Sequence, residues 1–306
     1  MDVLVVNAGS TSLKLHLVHG HESTPVDDFV AADAVGHRVV HGGPRLTEPR
    51  RIDVTVMREL DRLETIAPLH NKPALTALFR AQEALPDVPH VAVFDTAFHR
   101  TMPPAASTYA IPARWREDWE VERYGFHGIN VQWVASQVRV PRLVVCHLGG
   151  GCSVTAVRDG RSVDTTMGFS PLEGVPMATR SGSVDPEVLV YVQREHGVTL
   201  EQLSEALEHE SGLAGLSGGG SGDIRDASPL AVDVFVHRVA AAIGSMAVAC
   251  GGLDVLAFTG GIGENAAEVR QRIVERVGFL GERRVEVVEA HEELVIAGET
   301  VRVLAG

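Results

Sequence analysis

The stretch MDVLVVNAGSTSLKLHLV, residues 1–18, decides the fold. An apolar run stops at the polar segment 7–12, and a second apolar run follows it. Because Asn, Gly and Ser dominate turns for conformational reasons, the stretch predicts a β-hairpin. A second stretch, RLVVCHLGGGCSVTAVRDGRSVDT at residues 142–165, repeats the pattern of strand, glycine-rich turn and strand. The repeat indicates two related halves, one beginning at Met1 and the other near Leu143.

Helical patterns occupy much of the remaining chain. The spacing of apolar residues predicts helices at 73–85, 130–138, 186–195, 200–208, 228–250 and 266–277. The segment 228–250 is apolar over most of its length, which predicts that this helix is buried. Since strands and helices alternate, the sequence predicts an α/β architecture.

Composition limits the class of protein. A chain of 306 residues predicts two domains, and 45% hydrophobic with 22% charged residues is typical of a soluble globular protein. A net charge of −13 argues against nucleic acid and against an anionic membrane as partners. The first residues lack the basic region of a signal peptide, so we expect a cytoplasmic protein. Three cysteines are too few and too scattered for a disulfide framework.

Glycine-rich loops are candidate ligand sites. GGIGEN, residues 260–265, separates a predicted strand from the predicted helix at 266–277. Backbone without side chains can approach a ligand closely, and the free N–H groups of a first helical turn attract anions. The loop is neither a Walker A motif nor a dinucleotide fingerprint. Together with HLGGG at 147–151 and the turn at 7–12, it fits a nucleotide whose phosphates lie between two domains.

Several charged residues lie in contexts that suit ligand binding. Arg38 in GHRVVHGG and Arg180 in MATRSGSVDP are flanked by small residues, and Arg225 follows in SGDIRD. Arginine binds carboxylate or phosphate through paired planar donors. Asp95 in VFDTAFH ends an apolar strand, where a carboxylate is costly unless it is paired or functional. Taken singly, each arginine could equally form a surface salt bridge, and His127 could be a structural histidine.

The motifs NAGSTSLK, GHRVVHGG, APLHN, VFDTAFH, RYGFHG, HLGGG, PLEGVPMATRSGSVDP, SGDIRD, FTGGIGEN and EELVIA resemble, in their order, those of acetate kinases. The resemblance implies the sugar kinase, actin and heat-shock ATPase superfamily. Its fold has two duplicated ribonuclease H-like α/β domains with a nucleotide in the interdomain cleft. The implied domains are 1–99, completed by 294–306, and 100–293, which binds nucleotide and would also form a homodimer.

The resemblance also implies catalytic and metal-binding residues. Asn7 and Glu292 would help to hold Mg²⁺ or Mn²⁺. Asp95 would act in catalysis by ordering the arginines and the metal. His127 and Arg180 would stabilise the phosphoryl group during transfer.

Substrate and nucleotide residues follow from the same resemblance. Arg38 would bind the substrate carboxylate, and Val40, Leu69, Phe126 and Pro171 would form a small apolar pocket that favours acetate or propionate. The implied ATP-binding residues are Lys14, His147, Leu148, Gly149, Gly150, Gly151, Asp223, Ile224, Arg225, Gly261, Ile262, Gly263, Glu264 and Asn265.

The implied activity is reversible, direct, in-line phosphoryl transfer from ATP to acetate, which gives acetyl phosphate and ADP. Because a carboxylate is already ionised at neutral pH, the acceptor needs no general base. Positioning and charge neutralisation then supply most of the catalysis. A propionate or other short-chain acyl kinase is the alternative within this class, and a non-catalytic nucleotide-binding switch is the alternative outside it. For a chaperone-type ATPase we expect an appended substrate-binding domain, for which 306 residues leave no room.

Four departures from the acetate kinase pattern stand out. The segment between residues 14 and 38 is much shorter than is usual, so the first domain is abbreviated. Gly150 replaces an asparagine that would contact nucleotide phosphate. Ile129 and Asn130 stand where Thr-Ser-His usually follows RYGFHG. Lys72 replaces a proline. None of these changes removes a predicted catalytic residue, so we expect activity.

Overall fold

The computed structural model describes residues 1–9, 13–64 and 68–306, apart from the side chains at 64–72. The chain forms two compact units. Unit 1 consists of Met1–Arg100, Phe126–Trp133 and His291–Gly306. Unit 2 consists of Thr101–Gly125 and Val134–Ala290. The domain boundaries implied by the resemblance stay a prediction.

Unit 1 is built on one mixed sheet. Its described strands are β1 (Asp2–Ala8), β2 (Leu13–His19), β3 (Glu22–Val26), β4 (Ala34–Val39), β5 (Arg50–Arg51) and β6 (His90–Phe94). They lie in the order β3-β2-β1-β4-β6-β5. The first three strands are antiparallel, whereas β4 and β6 run parallel to β1. The carboxyl ends of β1, β4 and β6 therefore lie at the same edge of the sheet.

Helices cover both faces of this sheet. Those of unit 1 are α1 (Val54–Glu64), α2 (Pro68–Ala84), the start of α5 (Gly128–Gln137) and α12 (Glu292–Leu304). On one face, Ala77 and Ala81 of α2 pack with Leu4 of β1. On the other, Ile296 of α12 packs with Val5 and with strand β6. The sheet is thus buried between two helical layers, which explains why β1 is apolar on both faces.

Unit 2 repeats the same topology. Its strands are β7 (Arg142–Leu148), β8 (Cys152–Arg158), β9 (Arg161–Thr165), β10 (Val255–Thr259) and β11 (Arg284–Val287). The order is β11-β10-β7-β8-β9, with an antiparallel β7-β8-β9 meander and with β10 and β11 in the parallel arrangement. The two sheets therefore share one connectivity, β5 apart. The predicted duplication of an α/β unit is confirmed.

Eight described helices belong wholly to unit 2, besides the end of α5. They are α3 (Pro104–Ser107), α4 (Ala113–Glu117), α6 (Pro186–His196), α7 (Leu200–His209), α8 (Gly212–Leu216), α9 (Pro229–Cys250), α10 (Gly260–Asn265) and α11 (Ala267–Arg276). A short 3₁₀ turn occupies Gly278–Leu280 of unit 2, and another, at Ala97–Thr101, lies at the end of the first segment of unit 1. Ser228 caps the N-terminus of α9, and Gly251, at a φ of 74°, ends it.

Helix α9 is long and apolar enough to cross a bilayer by length and composition, and it is the one such helix among the described residues. That is weak evidence for a membrane span, because the core helix of a soluble protein meets the same criterion. Its side chains Phe235, Val239 and Ile243 are fully buried, and α9 packs against β7 and β8. Helix α9 therefore packs one face into the core of unit 2, whereas its Leu230 and Val248 are exposed, so the predicted burial holds for only part of the helix.

Candidate active site

Four polar side chains of unit 1 meet at the carboxyl edge of its sheet. Asn7 lies near the end of β1, Arg38 near the end of β4, and Asp95 directly after β6. Glu292 is the first residue of α12. In open α/β sheets, ligands bind outside the carboxyl ends of parallel strands, so this edge is the expected position of a site.

A continuous chain of hydrogen bonds links the four. Arg38 donates from Nε and Nη2 to Asp95 Oδ2 at 3.0 and 2.6 Å. It also donates from Nη1 to Asn7 Oδ1 at 3.2 Å. Asn7 Nδ2 in turn donates to Glu292 Oε2 at 2.9 Å. We call Asn7, Arg38, Asp95 and Glu292 the edge cluster.

Charge in the edge cluster is only partly balanced. The Asp95 side chain is 1% exposed. Burial raises the pKa of Asp95, and Glu292 raises it further, whereas the Arg38 guanidinium opposes both. For Arg38, burial lowers the pKa, but Asp95 and Glu292 outweigh burial and raise it overall, so the guanidinium stays charged. Two carboxylates thus share one guanidinium, and a further cation would relieve their repulsion.

The donor set of the edge cluster fits a hard divalent cation. Asp95 Oδ1 is buried and accepts no hydrogen bond from the described residues. Asn7 and Glu292 add an amide and a carboxylate oxygen, which are ligands that Mg²⁺ and Mn²⁺ favour. Among the described residues no group of three His, Cys, Asp or Glu forms a metal cage. Protein sites commonly bind Mg²⁺ through one or two carboxylates plus water and substrate phosphates, and Asp95 and Glu292 are two carboxylates of this kind.

His127 lies beside the edge cluster in an uncommon backbone conformation. Its φ is 61°, in the left-handed region that a side chain with a Cβ rarely adopts. The next residue, Gly128, donates its N–H to the Asp95 carbonyl at 2.9 Å. A Cβ at Gly128 would lie 2.1 Å from that oxygen, so only glycine fits. The residue before it, Phe126, is buried, and His99 Nε2 donates to its carbonyl at 2.9 Å.

Other predicted residues of unit 1 have less definite surroundings. Val40 follows β4 and is half-buried. Lys14 is exposed on β2, opposite Asn7 in the register. Leu69 belongs to α2, but its side chain lies outside the described residues.

In unit 2 the three predicted nucleotide loops converge on one cavity of about 480 Å³. It is lined by Gly149, Gly150, Ala178, Ser221, Gly222, Asp223, Ile224, Arg225, Gly261, Ile262, Asn265 and Ala266. The lining thus combines residues of HLGGG, SGDIRD and FTGGIGEN, and the binding of nucleotide there stays a prediction. Of the other residues in these motifs, Leu148 and Gly263 are buried, and His147, Gly151 and Glu264 are not part of the lining.

An arginine–aspartate pair lies at the cavity wall. Arg225 donates from its backbone N–H and from Nε to Asp223 Oδ1, both at 2.9 Å. These hydrogen bonds lower the pKa of Asp223 to about 2. The Arg225 guanidinium is exposed, so it can also meet an anion in the cavity.

Arg180 is held in the loop that follows the cavity residue Ala178. Its Nη1 donates to the carbonyl of Pro171, a buried residue, at 3.3 Å. Its Nε lies 3.4 Å from Glu208 Oε2, with side chains 16% and 12% exposed. Burial lowers the pKa of Arg180, and Glu208 opposes that shift. Glu208 was not predicted from the sequence, because no motif marks it.

Comparison with known proteins gives one family. The chain matches the model of the acetokinase family over residues 26–303. It is similar to acetate kinase from Deinococcus deserti, at 46% identity over 89% of this chain and 78% of that protein. It is also similar to acetate kinase from Oceanobacillus iheyensis, at 37% identity over 96% of this chain and 83% of that protein.

Solved structures of short-chain acyl kinases have the same fold as this chain. A propionate kinase from Francisella tularensis superposes with a TM-score of 0.92 at 31% identity, over 99% of both chains. Acetate kinase from Porphyromonas gingivalis gives a TM-score of 0.87 at 29% identity, again over 99% of both. The fold is therefore the two-domain, actin-like fold of these kinases. The chain belongs to the acetokinase family of phosphotransferases.

Proposed function

We propose that the protein is an acetate kinase, which transfers a phosphoryl group reversibly from ATP to acetate to give acetyl phosphate and ADP. The observation that carries the proposal is the edge cluster, in which one guanidinium is held by Asp95 and Asn7 next to Glu292. The family match and the acetate kinases among the relatives support it.

Arg38 binds the substrate carboxylate in this proposal. Three of its five N–H donors are directed at Asp95 and Asn7, which fixes the plane of the guanidinium. The other two remain for an incoming carboxylate. Asp95 thus acts by orienting Arg38, and the buried pair keeps that orientation without substrate. Val40 and Phe126, both in unit 1, would provide apolar surroundings for the acyl chain.

Phosphoryl transfer to a carboxylate brings two anions together, so the site must supply positive charge. We assign this role to Arg180 and His127, which would stabilise the transferring group. Asn7 and Glu292 would hold Mg²⁺ (or Mn²⁺), which neutralises charge on the nucleotide phosphates when bound. The cavity of unit 2 binds the nucleotide, with the glycine loops and Arg225 near its phosphates.

A hydroxamate assay for acyl phosphate tests the proposal. Acetate, propionate and butyrate are each incubated with ATP, GTP or pyrophosphate and Mg²⁺. We expect acetyl phosphate with ATP. Faster turnover of propionate would favour the alternative, a propionate kinase, which the propionate kinase fold match keeps open. If nucleotide binds but no combination yields acyl phosphate, the kinase proposal fails and a binding switch takes its place.

The Arg180→Ala variant provides the control within the site. A transition-state arginine contributes ~10³–10⁵ in rate, so kcat should fall by about 10³ or more while the Kd for ADP changes little. Arg180→Lys, which keeps the charge but loses the planar fork, should recover a small part of kcat. Near-normal turnover by Arg180→Ala would remove the arginine from the mechanism.

We also propose a homodimer in the cytoplasm. Helix α6 has no buried residue among its described side chains, and it exposes Val188, Val190 and Tyr191. A second copy of the chain, joined through unit 2, would cover exposed apolar side chains of this helix. Sedimentation velocity of the protein and of its Tyr191→Asp variant tests it: a monomeric wild type contradicts the proposal.

A further inference from the structure

Glu264 lies inside GGIGEN, yet its carboxylate is bound to backbone rather than directed into the cavity. A single oxygen, Oε1, accepts the N–H of Gly260 at 2.8 Å and the N–H of Ala290 at 3.1 Å. The two amides are far apart in sequence, so one side chain joins two segments of unit 2. Glu264 itself does not line the cavity.

The first segment is the wall of the nucleotide cavity. Gly260 begins α10 with a φ of 78°, and a Cβ there would lie 2.9 Å from the Leu148 carbonyl. Gly261 and Ile262, which follow it, line the cavity. At the other end of α10, Arg270 Nη1 donates to the carbonyls of Gly263 and Glu264, both at 2.9 Å. Glu264 and Arg270 thus fix the two ends of this short helix.

The second segment leads into the edge cluster. After β11, the Val288 N–H donates to the Phe258 carbonyl at 2.9 Å, and Ala290 then donates to Glu264. Ala290 is the last residue of unit 2, and the chain enters unit 1 at His291. Two residues after Ala290 comes Glu292, whose carboxylate accepts from Asn7. The amide that Glu264 holds is therefore two residues away in the chain from a member of the edge cluster.

We propose that Glu264 is a positioning residue that couples the nucleotide cavity to Glu292 by holding the Gly260 and Ala290 amides on one oxygen. This inference rests on the proposed function for the role of Glu292. It requires the two acceptor lone pairs of Oε1 and not the negative charge. In this proposal Glu264 binds backbone amides and not the nucleotide, although it lies within a motif that the resemblance assigns to nucleotide binding.

Three variants test the coupling by steady-state kinetics. Glu264→Ala removes both hydrogen bonds, so kcat should fall about 10–100-fold, as for other supporting residues, and KM for ATP should rise. Glu264→Gln keeps an oxygen in the same position but loses the charge, and neutral hydrogen bonds are roughly half as strong, so we expect kcat to fall by less than about tenfold and clearly less than in Glu264→Ala. Arg270→Met releases the other end of α10 but leaves Ala290 bound, so KM for ATP alone should rise.

Hydrogen exchange provides a readout that does not depend on activity. Amides at 260 and 288–290 should be protected in the wild type, and ADP should protect both further. Glu264→Ala should lose the ADP response at 288–290, whereas Glu264→Gln and Arg270→Met should retain it. Thermal unfolding of each variant identifies any that fails to fold. If Glu264→Ala does not fold, the exchange response of the wild type and of Glu264→Gln to ADP still tests the coupling.

Three results would overturn the coupling. They are a Glu264→Gln variant as impaired as Glu264→Ala, a Glu264→Ala variant with normal kcat, and a wild type in which ADP leaves exchange at 288–290 unchanged. If the wild type forms no acyl phosphate, the proposed function fails, but the exchange experiment still tests the connection between cavity and Ala290.

Discussion

At the scale of single residues, the site depends on close backbone contacts as much as on charged groups. His127 keeps a left-handed φ because its neighbours are fixed on both sides: Phe126 by His99, and Gly128 by the Asp95 carbonyl. A conformation of this kind costs free energy and persists only where surrounding contacts enforce it. The sequence predicted that Asp95 must be paired or functional, and Arg38 is its partner. It did not predict the His99 contact, because nothing local marks a histidine that binds a distant carbonyl.

Gly150 offers a prediction about nucleotide affinity. It lines the cavity, and a Cβ added there would meet nothing within 4 Å. Its backbone is outside the left-handed region, so other residues can occupy the position. An asparagine, as in the acetate kinase pattern, can donate to a phosphate, and hydrogen bonds to charged groups contribute about 1.5–3 kcal/mol. We expect Gly150→Asn to lower the Kd for ADP about tenfold in calorimetry.

The control for this prediction is Gly150→Ala, which restricts the backbone similarly but offers no donor. Its Kd for ADP should stay close to that of the wild type. Equal affinities of the asparagine and alanine variants would mean that position 150 does not face phosphate.

At the scale of elements, helix α12 both packs against the sheet of unit 1 and supplies a side chain to the edge cluster. The helix packs on β4 at Gly36, and its first residue supplies Glu292. Thr300 Oγ1 donates to the Ile296 carbonyl at 2.7 Å, which keeps this polar side chain satisfied within the packed surface. The position of Glu292 therefore depends on a contact made along the body of the helix.

Gly36→Ala tests that dependence. The added Cβ would lie 2.5 Å from Thr300 Oγ1 and 2.8 Å from Ile296 Cγ2, so α12 must shift. Overpacking costs about 1–3 kcal/mol, and we expect that loss in the free energy of unfolding by urea, together with a lower kcat. Adding Thr300→Ala removes one of the two clashes. The double variant should therefore recover part of the lost free energy of unfolding and part of the lost kcat. A Gly36→Ala variant with unchanged stability would contradict this packing.

Elements with a strong local pattern were predicted well. Helices α6, α7 and α9 begin and end within one residue of the predicted ranges. GGIGEN was predicted as a turn but forms α10, because the Glu264 side chain satisfies the Gly260 amide at the helix start. Helices α1 and α12 were not predicted, and α12 contains Gly298, which weakens its helical signal. The glycine loops that line the cavity are recognisable in the sequence, whereas Glu208 needed the tertiary structure.

At the scale of the whole molecule, buried histidines link stability to pH. His37 Nε2 lies 2.8 Å from His90 Nδ1, and His90 Nε2 lies 3.0 Å from the Leu85 carbonyl. The carbonyl can only accept, so His90 donates from Nε2, and a neutral His90 ring then accepts at Nδ1 from His37 Nε2. Burial, and then His90, lowers the pKa of His37 to about 3, and burial also lowers the pKa of His90. Burial lowers the pKa of His99 to about 4.

The folded protein should therefore lose stability as the pH falls from about 6.5 towards 4. Unfolded histidines bind protons near pH 6.5, whereas these folded histidines stay neutral, so acid favours the unfolded chain. Urea unfolding at several pH values measures the slope, to which each such histidine adds up to about 1.4 kcal/mol per pH unit. His99→Gln can still donate to the Phe126 carbonyl and should reduce the slope. An unchanged slope in that variant would contradict the contribution of His99.

The discontinuity of unit 1 has a consequence for synthesis on the ribosome. Most of unit 1 emerges first, but α12, at 292–304, emerges only after the whole of unit 2. Domains generally fold in the order in which they are made. Here unit 1 is the first to be synthesised but the last to be completed. Until α12 emerges, the face of β4 at Gly36 stays uncovered, and Arg38 and Asp95 lack Glu292. A nascent chain can thus form the cavity of unit 2 while its edge cluster is still incomplete, so translation itself sets the moment at which the edge cluster is assembled.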